Sequence, residues 1–167
     1  NAHPHFDDTG KISLIHNGII ENYSSIKSYL EKKGRTFKSD TDTETLVQLI
    51  SDIYYGDGLS FEQAVAVALS RVVGTYGIVA FCFDEPDKLV AARHGSPLVL
   101  GIGKNEYFIA SDASPIVDHT RNVIYLDEGE MVTITQNGHE IRTIKDDTII
   151  NKAITEIDFS IEEIEKG

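Results

Sequence analysis

The chain has 167 residues, of which 41% are hydrophobic and 25% are charged, and this is the size and composition of one globular domain. Its formal net charge of −12 leaves no basic excess to neutralise phosphates, which argues against nucleic acid or an anionic membrane as the main partner. A single cysteine, Cys82, excludes an intrachain disulfide and fits a reducing compartment. No apolar run approaches the length that spans a membrane.

The chain opens with Asn-Ala-His-Pro-His-Phe, without an initiator methionine, so we expect the sequence to start partway through a domain. His3 and His5 flank Pro4, which favours an extended conformation in the residue before it. A His-x-His pair suggests a metal site, but zinc takes three or four ligands. Because the other histidines and Cys82 are scattered along the chain, we predict no metal site.

A connection between a strand and a helix carries the clearest chemistry. Residues 11–16 have a strand pattern that stops at Asn17-Gly18, and apolar residues at helical spacing begin at Tyr23. Asn-Gly alone favours a hairpin turn without chemistry, but no second strand pattern follows it here. Asn17 offers a side-chain amide, and a ligand can approach the backbone N–H of Gly18 because this residue has no Cβ. Two such donors after a strand have the chemistry of an oxyanion hole.

Two helices are predicted, one over residues 23–34 and one from Thr41 onward. Gly34 ends the first, since glycine is favoured directly after a helix C-terminus. Thr41 and Glu44 have the spacing of a capping box at the start of the second helix. Asp42 has two interpretations, a first-turn carboxylate that suits the helix dipole or a carboxylate that pairs with a substrate ammonium. The pattern alone favours the first interpretation.

A third helix and a buried strand follow. Ser60 and Gln63 have the spacing of a second capping box, and Gly74 is predicted to end the helix that they start. Residues 77–83 form a continuous apolar run, which is typical of a strand buried on both faces. Cys82 lies inside this run, so it is predicted to be a core residue and not a nucleophile.

The rest of the chain is predicted to be mainly strands. They are expected at residues 88–93, 98–103, 105–111, 123–126, 130–135 and 140–144. A short helix is predicted to start at residues 112–115, and Asn137-Gly138 is predicted to form a hairpin turn between the last two strands. The polar, acidic tail from Asp146 is predicted to be a surface segment or a linker.

Five motifs follow one another along the chain. They are Asn-Ala-His-Pro-His at 1–5, His-Asn-Gly-Ile-Ile-Glu-Asn at 16–22, Ser-Asp-Thr-Asp-Thr-Glu at 39–44, Ala-Ala-Arg-His-Gly-Ser-Pro-Leu at 91–98 and Phe-Ile-Ala-Ser-Asp at 108–112. Together they closely resemble the glutaminase domain of the glutamine–fructose-6-phosphate aminotransferase (isomerising) family, the glucosamine-6-phosphate synthases. The resemblance covers essentially the whole chain. The third and fourth motifs favour this family over the purine and asparagine branches of the class II glutamine amidotransferases.

The resemblance implies an α+β fold of the N-terminal-nucleophile hydrolase type, a four-layer αββα sandwich of antiparallel sheets, here truncated at its N-terminus. In the family, an N-terminal cysteine attacks the side-chain amide of L-glutamine and releases ammonia. The resemblance assigns the oxyanion hole to Asn17 and Gly18, with Gly18 also binding substrate, and it assigns the binding of the glutamine α-amino group to Asp42. The family's opening segment, which carries the cysteine, precedes Asn1 in this comparison. The polypeptide of residues 1–167 is therefore predicted to be inactive.

The resemblance also implies domain limits and partners. Residues 1–157 are assigned to an incomplete glutaminase domain, and residues 158–167 to a linker toward absent sugar-isomerase domains. The family passes ammonia to fructose-6-phosphate in the cytoplasm, without a cofactor or metal in the glutaminase part. The implied partners are L-glutamine, the sugar-isomerase domains of the same polypeptide, and a second copy of the chain in a homodimer formed through those domains, with neither nucleic acid nor a membrane. The alternative interpretation is a non-catalytic ligand-binding or interaction domain derived from a class II amidotransferase.

Overall fold

The computed structural model describes residues 2–158, which form three helices and eleven strands. The helices are α1 (Tyr23–Lys32), α2 (Asp42–Asp57) and α3 (Phe61–Ser70). The strands are β1 (His5–Phe6), β2 (Ile12–Asn17), β3 (Tyr76–Cys82), β4 (Leu89–His94), β5 (Val99–Gly103), β6 (Glu106–Ala110), β7 (Asn122–Tyr125), β8 (Glu130–Thr135), β9 (Gly138–Thr143), β10 (Ile149–Ile150) and β11 (Thr155–Glu156).

Two antiparallel sheets pack face to face, and the helices cover the outer face of the larger one. The larger sheet has the strand order β1-β2-β3-β4-β8-β9-β10, and the smaller has the order β11-β7-β5-β6. Alternate residues of a strand point to opposite faces, so Ala92 of β4 packs in the core under the helices while Ala91 packs in the core between the sheets. The predicted α+β sandwich of antiparallel sheets is confirmed, and residues 2–158 supply three of its four layers.

Helix α1 confirms the first predicted helix, with Gly34 at φ +89° just beyond its end. Ile26 and Leu30 are buried, because they are four residues apart and therefore share one face of the helix. Tyr23 and Tyr29, which the same apolar spacing included, are exposed instead. The phenol oxygen of Tyr29 accepts a hydrogen bond from Lys33 Nζ at 3.3 Å. The hydroxyl of a tyrosine is polar, which makes the exposed position of this ring acceptable.

Helix α2 begins with only half of the predicted capping box. The Thr41 hydroxyl accepts a hydrogen bond from the Glu44 backbone N–H at 3.2 Å, as an N-cap residue does. The buried Glu44 carboxylate does not return to Thr41. It accepts from the backbone N–H groups of Lys38 at 2.7 Å and Ser39 at 2.9 Å. Glu44 therefore holds the loop that precedes α2, since backbone donors of that loop satisfy its buried charge.

Helix α3 confirms the second capping box but ends earlier than predicted. The Ser60 and Gln63 side chains each accept a hydrogen bond from the other residue's backbone N–H. The helix ends at Ser70, so the prediction that Gly74 ends it is wrong. Gly74 lies at φ +130° against Ile19, whose carbonyl oxygen is 2.1 Å from the position that a Gly74 Cβ would take. The glycine is required by this close approach of two backbone segments.

Strand β3 is the predicted buried strand, but one of its faces is covered only in part. Cys82 is fully buried, as predicted. Phe81 is only half-buried and Phe83 is 57% exposed. Ile15 of β2 pairs with Val79, lies on the same face, and is 47% exposed. We call Ile15, Phe81 and Phe83 the open sheet face. It exists because the smaller sheet packs over β4, β8 and β9 and leaves part of β2 and β3 uncovered.

The late strands and the Asn137-Gly138 hairpin are confirmed, with Gly138 at φ +132°. The short helix predicted from residues 112–115 is wrong, because that segment forms turns. The Asp112 carboxylate accepts a hydrogen bond from the Ser114 N–H at 2.8 Å, and such local bonds compete with a helix.

The tail contains two short strands, β10 and β11, that were not predicted from the sequence. Residues 159–167 of the predicted linker lie outside the described residues.

Candidate active site

The turn after β2 presents two unsatisfied donors to solvent. Asn17 is the last residue of β2, opposite Gly77 of β3, and Gly18 follows it at φ +121°. Both residues are exposed. Within residues 2–158, neither the Asn17 side-chain amide nor the Gly18 N–H has an acceptor. Both donors that were predicted to form an oxyanion hole are therefore free to bind a ligand.

Thr75 packs directly against this turn. A Cβ on Gly18 would lie 2.3 Å from the Thr75 carbonyl oxygen, so only glycine fits the position. The Thr75 hydroxyl accepts a hydrogen bond from the Ile19 N–H at 3.1 Å. The Thr75 N–H donates to the Ile19 carbonyl at 2.9 Å. These contacts fix the backbone immediately after Gly18.

Asp42 is brought to the same turn. It is the first residue of α2, and its Oδ2 accepts a hydrogen bond from the Ile20 N–H at 2.8 Å. Within residues 2–158, its other carboxylate oxygen accepts no hydrogen bond, and the side chain is only half-buried. Asp42 thus links α2 to the turn while one oxygen is left for a ligand. The three residues predicted from the sequence lie in one region of the structure.

His16 joins the same two elements below the surface. It is buried, and its Nε2 lies 3.3 Å from the Thr75 carbonyl oxygen. A carbonyl can only accept, so Nε2 carries the proton, and Nδ1 accepts from the Thr43 hydroxyl at 3.0 Å. Burial lowers the pKa of His16, and this effect outweighs the opposing hydrogen bond to Thr75 and the charge of Asp42. The neutral imidazole therefore bridges the first turn of α2 to the backbone behind Gly18.

The lowered pKa of His16 predicts a loss of stability in mild acid. The unfolded chain binds a proton near the ordinary value of about 6.5, and the folded chain binds it only at lower pH. Between these two pKa values the unfolded state holds more protons, so the free energy of unfolding falls as the pH falls. We expect His16→Gln, which keeps one donor and one acceptor, to lose less stability than the wild type between pH 7.5 and 5.5.

Urea unfolding of both proteins at the two pH values measures this difference. The control is His139→Gln, which changes an exposed histidine in the β8–β9 hairpin. An equal loss of stability on acidification in the wild type and in His16→Gln would contradict the assignment.

Gly95, in the motif at residues 91–98, packs against the side chain of Thr75. A Cβ on Gly95, which has φ +81°, would lie 2.5 Å from the Thr75 methyl group. The Gly95 N–H donates to Glu128 at 2.8 Å, and the Glu128 carboxylate also pairs with Arg93 and with His94. This motif entered the sequence analysis by resemblance alone, and the structure gives it a physical role beside the candidate site.

Cys82 is separate from this site in chemistry as well as burial. It lies in the core beneath the helices, and burial raises the pKa of its thiol. A neutral, inaccessible thiol is a poor nucleophile, so Cys82 does not supply the attacking group. Among the described residues, no cluster of three or more metal-binding side chains occurs.

Three residues that shape the site were not predicted as site residues. Thr75, His16 and Thr43 connect β2, β3 and α2. His16 and Thr43 lie within the motifs at 16–22 and 39–44, but neither was given a role there. The available signal was weak, a histidine directly before Asn-Gly and threonines next to Asp42 and before a buried strand. Only the pairing of β2 with β3 brings Thr75 next to residues that are more than 50 positions earlier.

A model of the glutamine amidotransferase domain family matches residues 1–118. The chain therefore belongs to the glutamine amidotransferase domain family, as the resemblance had implied. It is 54% identical over its whole length to the glutamine–fructose-6-phosphate aminotransferase (isomerising) of Chlorobaculum tepidum, and it covers 27% of that protein. It is 46% identical to the protein of the same name from Methanothermobacter thermautotrophicus, again over its whole length, and covers 28% of it. The chain thus spans little more than a quarter of these curated relatives.

Solved structures agree on the fold. The glutamine phosphoribosylpyrophosphate amidotransferase of B. subtilis superposes with a TM-score of 0.71 at 24% identity, over 89% of this chain and 33% of that one. A glutamine aminotransferase class-II domain protein of Silicibacter pomeroyi superposes with a TM-score of 0.57 at 20% identity, over 85% of this chain and 69% of that one. Within residues 2–158, each helix is too short or too polar to cross a bilayer.

Proposed function

We propose that this chain is a glutaminase domain that stabilises the tetrahedral intermediate of glutamine hydrolysis at Asn17 and Gly18. The observation that carries the proposal is the presence of two unsatisfied donors, the Asn17 amide and the Gly18 N–H, on a turn that Asp42 also contacts. Membership of the glutamine amidotransferase domain family supports the choice of substrate. Gly18 also lies against the substrate in this proposal, because it has no side chain to keep the amide away.

The proposed chemistry begins with a cysteine thiolate that attacks the side-chain amide carbon of glutamine. The carbonyl oxygen becomes an oxyanion, which accepts hydrogen bonds from the Asn17 amide and the Gly18 N–H. The α-amino group of the same cysteine, which took up the thiol proton, returns it to the leaving nitrogen. Collapse of the intermediate then releases ammonia and leaves a thioester, which water hydrolyses to glutamate and the free thiol. The free oxygen of the Asp42 carboxylate accepts a hydrogen bond from the α-ammonium of glutamine and so sets its position.

The acceptor of the ammonia is proposed to be fructose-6-phosphate, with glucosamine-6-phosphate as the product. The names of the relatives from C. tepidum and M. thermautotrophicus support this acceptor. The same proposal includes sugar-isomerase domains in the same polypeptide, a homodimer formed through those domains, and a cytoplasmic location. A single, unpaired cysteine in the chain is consistent with the reducing cytoplasm.

Residues 1–157 are proposed to be part of a larger glutaminase domain, with residues 158–167 leading on to the isomerase domains. The open sheet face supports this, because it places the half-exposed apolar side chains Ile15, Phe81 and Phe83 on the side of the sheet where Asn17 lies. A contiguous apolar surface of this kind marks a place where another segment packs. In the proposal, the segment that carries the nucleophilic cysteine covers it.

Two polypeptides test the function. The first is residues 1–167, in which Cys82 is the only cysteine and is buried. The second, called the extended polypeptide below, adds the upstream coding sequence from the cysteine that removal of the initiator methionine would expose. We expect the first to release no ammonia from glutamine and the extended polypeptide to do so, with loss of activity when its first cysteine is changed to serine.

Ammonia release by residues 1–167 would contradict the assignment of the nucleophile. Upstream coding sequence without such a cysteine, or an inactive extended polypeptide that still binds glutamine, would support the alternative of a non-catalytic ligand-binding domain.

A further inference from the structure

Thr75 contacts the Asn17–Gly18 turn through its hydroxyl, its N–H and its carbonyl. We propose that Thr75 is the positioning residue that aims the Gly18 N–H at the oxyanion. This inference rests on the proposed function, because it assumes that the turn forms an oxyanion hole. Thr75 itself does not touch the reacting atoms in this proposal, and it acts through the backbone of residues 18 and 19.

The Thr75 hydroxyl holds the backbone just after Gly18. The Ile19 N–H is the next backbone donor after Gly18, and it is engaged by Thr75 Oγ1 at 3.1 Å. This bond fixes the peptide plane between Gly18 and Ile19. Without it, the Ile19 N–H has no other acceptor among residues 2–158, and this peptide plane loses its side-chain support. The direction of the neighbouring Gly18 N–H then varies with it.

The backbone of Thr75 also contacts the turn. Its N–H donates to the Ile19 carbonyl at 2.9 Å, and its own carbonyl oxygen lies where a Gly18 Cβ would be. That carbonyl is held in turn by the Nε2–H of His16 at 3.3 Å. The turn is thus held at Gly18 and at Ile19 by one residue whose own carbonyl is fixed by His16 from the protein interior.

The rotamer of Thr75 is restricted by its surroundings. A β-branched side chain has few allowed χ1 values, and the close contact with Gly95 restricts them further. The Glu128 carboxylate holds Gly95 through its N–H at 2.8 Å. The hydroxyl is therefore directed at the Ile19 N–H before any ligand arrives. Such preorganised donors are what make an oxyanion hole effective, since no reorganisation is required at the moment of reaction.

A positioning role predicts a particular kinetic signature. The oxyanion exists only in the transition state and intermediate, so a misdirected Gly18 N–H lowers kcat and leaves the KM for glutamine nearly unchanged. In the extended polypeptide, we expect Thr75→Val to lower kcat roughly tenfold, less than the loss of an oxyanion donor itself. Thr75→Ser keeps the hydroxyl and is expected to stay within about twofold of the wild type.

The matched control is Thr45→Val, the same change at a buried hydroxyl in α2 that has no hydrogen-bond partner in the described part of the chain. We expect its kcat and KM to equal those of the wild type. A Thr75→Val enzyme with wild-type kcat, or with a raised KM and unchanged kcat, would overturn the inference. If the wild-type extended polypeptide is itself inactive, the proposed function fails and a second measurement decides on Thr75.

That measurement is amide hydrogen exchange at Ile19 in residues 1–167, which needs no catalysis. Thr75→Val is expected to raise the exchange rate of the Ile19 N–H at least tenfold, whereas Thr75→Ser and Thr45→Val leave it as in the wild type. Unchanged protection in Thr75→Val would show that the hydroxyl does not hold the turn, and it would overturn the inference whatever the kinetics.

Discussion

Gly18→Ala is expected to destabilise the protein by about 3 kcal/mol. The methyl group would lie 2.3 Å from the Thr75 carbonyl oxygen and 2.7 Å from its carbonyl carbon, which are backbone atoms that cannot rotate away. The φ of +121° adds strain that only glycine avoids. Relief requires β2 and the segment before β3 to separate, with loss of the hydrogen bonds between Ile19 and Thr75. Urea unfolding of residues 1–167 and of the variant measures the difference.

Alanine substitutions at two other glycines distinguish the backbone strain of a positive φ from the steric clash of the added methyl group. Gly10→Ala places a methyl in open space at φ +74°, so it carries the backbone penalty alone, about 1 kcal/mol. Gly56→Ala lies within α2, has no neighbour within 4 Å and no positive φ, and is expected to stabilise by up to about 1 kcal/mol. If Gly18→Ala were no worse than Gly10→Ala, the close packing of Thr75 on the turn would be wrong.

The strand, turn and helix around Asn17 were predictable because their determinants are local. Alternating burial along β2 and a helical stripe in α1 are periodic patterns, and Asn-Gly between them marks where the chain turns. The capping residues of α3 are equally local, since Ser60 and Gln63 bond each other's backbone. Such features need only the neighbouring residues, and the structure confirms them.

The errors arise where tertiary contacts override a local pattern. Gly74 is the residue type expected just after a helix. A side chain is excluded there because the carbonyl of Ile19, more than 50 residues earlier, lies against it. Glu44 has the spacing of a capping box, but the preceding loop offers better donors to its carboxylate. Phe83 continues an apolar run, yet no residue of the smaller sheet covers it. Each outcome depends on a partner that sequence spacing does not identify.

The candidate site depends partly on local sequence features and partly on tertiary contacts. The donors at Asn17 and Gly18 could be proposed from residue chemistry, because an amide side chain and an open backbone N–H are visible in the sequence. Asp42 could not be chosen over the helix-dipole interpretation without the resemblance, since both use the same carboxylate. Its contact with Ile20 depends on the packing of α2 against the end of β2. The contacts of Thr75 depend on strand pairing, and its place before a buried strand is only a weak signal in the sequence.

Asp42→Asn in the extended polypeptide is expected to raise the KM for glutamine about 100-fold, with a smaller change in kcat. The asparagine retains a carbonyl oxygen that accepts the hydrogen bond now made by the Ile20 N–H at 2.8 Å, so the turn keeps its support. It loses the negative charge that the substrate ammonium needs. A hydrogen bond between charged groups in a partly buried site contributes about 3 kcal/mol, which corresponds to roughly 100-fold in binding. Steady-state ammonia release over a range of glutamine concentrations measures both constants.

A substrate without the α-amino group makes this test specific. If Asp42 acts on the ammonium, the wild type and Asp42→Asn should hydrolyse 5-amino-5-oxopentanoate with equal, low efficiency, because the interaction is already absent. The control variant is Asp40→Asn, which removes an exposed carboxylate two residues away that pairs with Lys27, and it should leave both constants unchanged. Equal penalties on glutamine and on the analogue would mean that Asp42 supports the turn through Ile20 and does not bind the substrate ammonium.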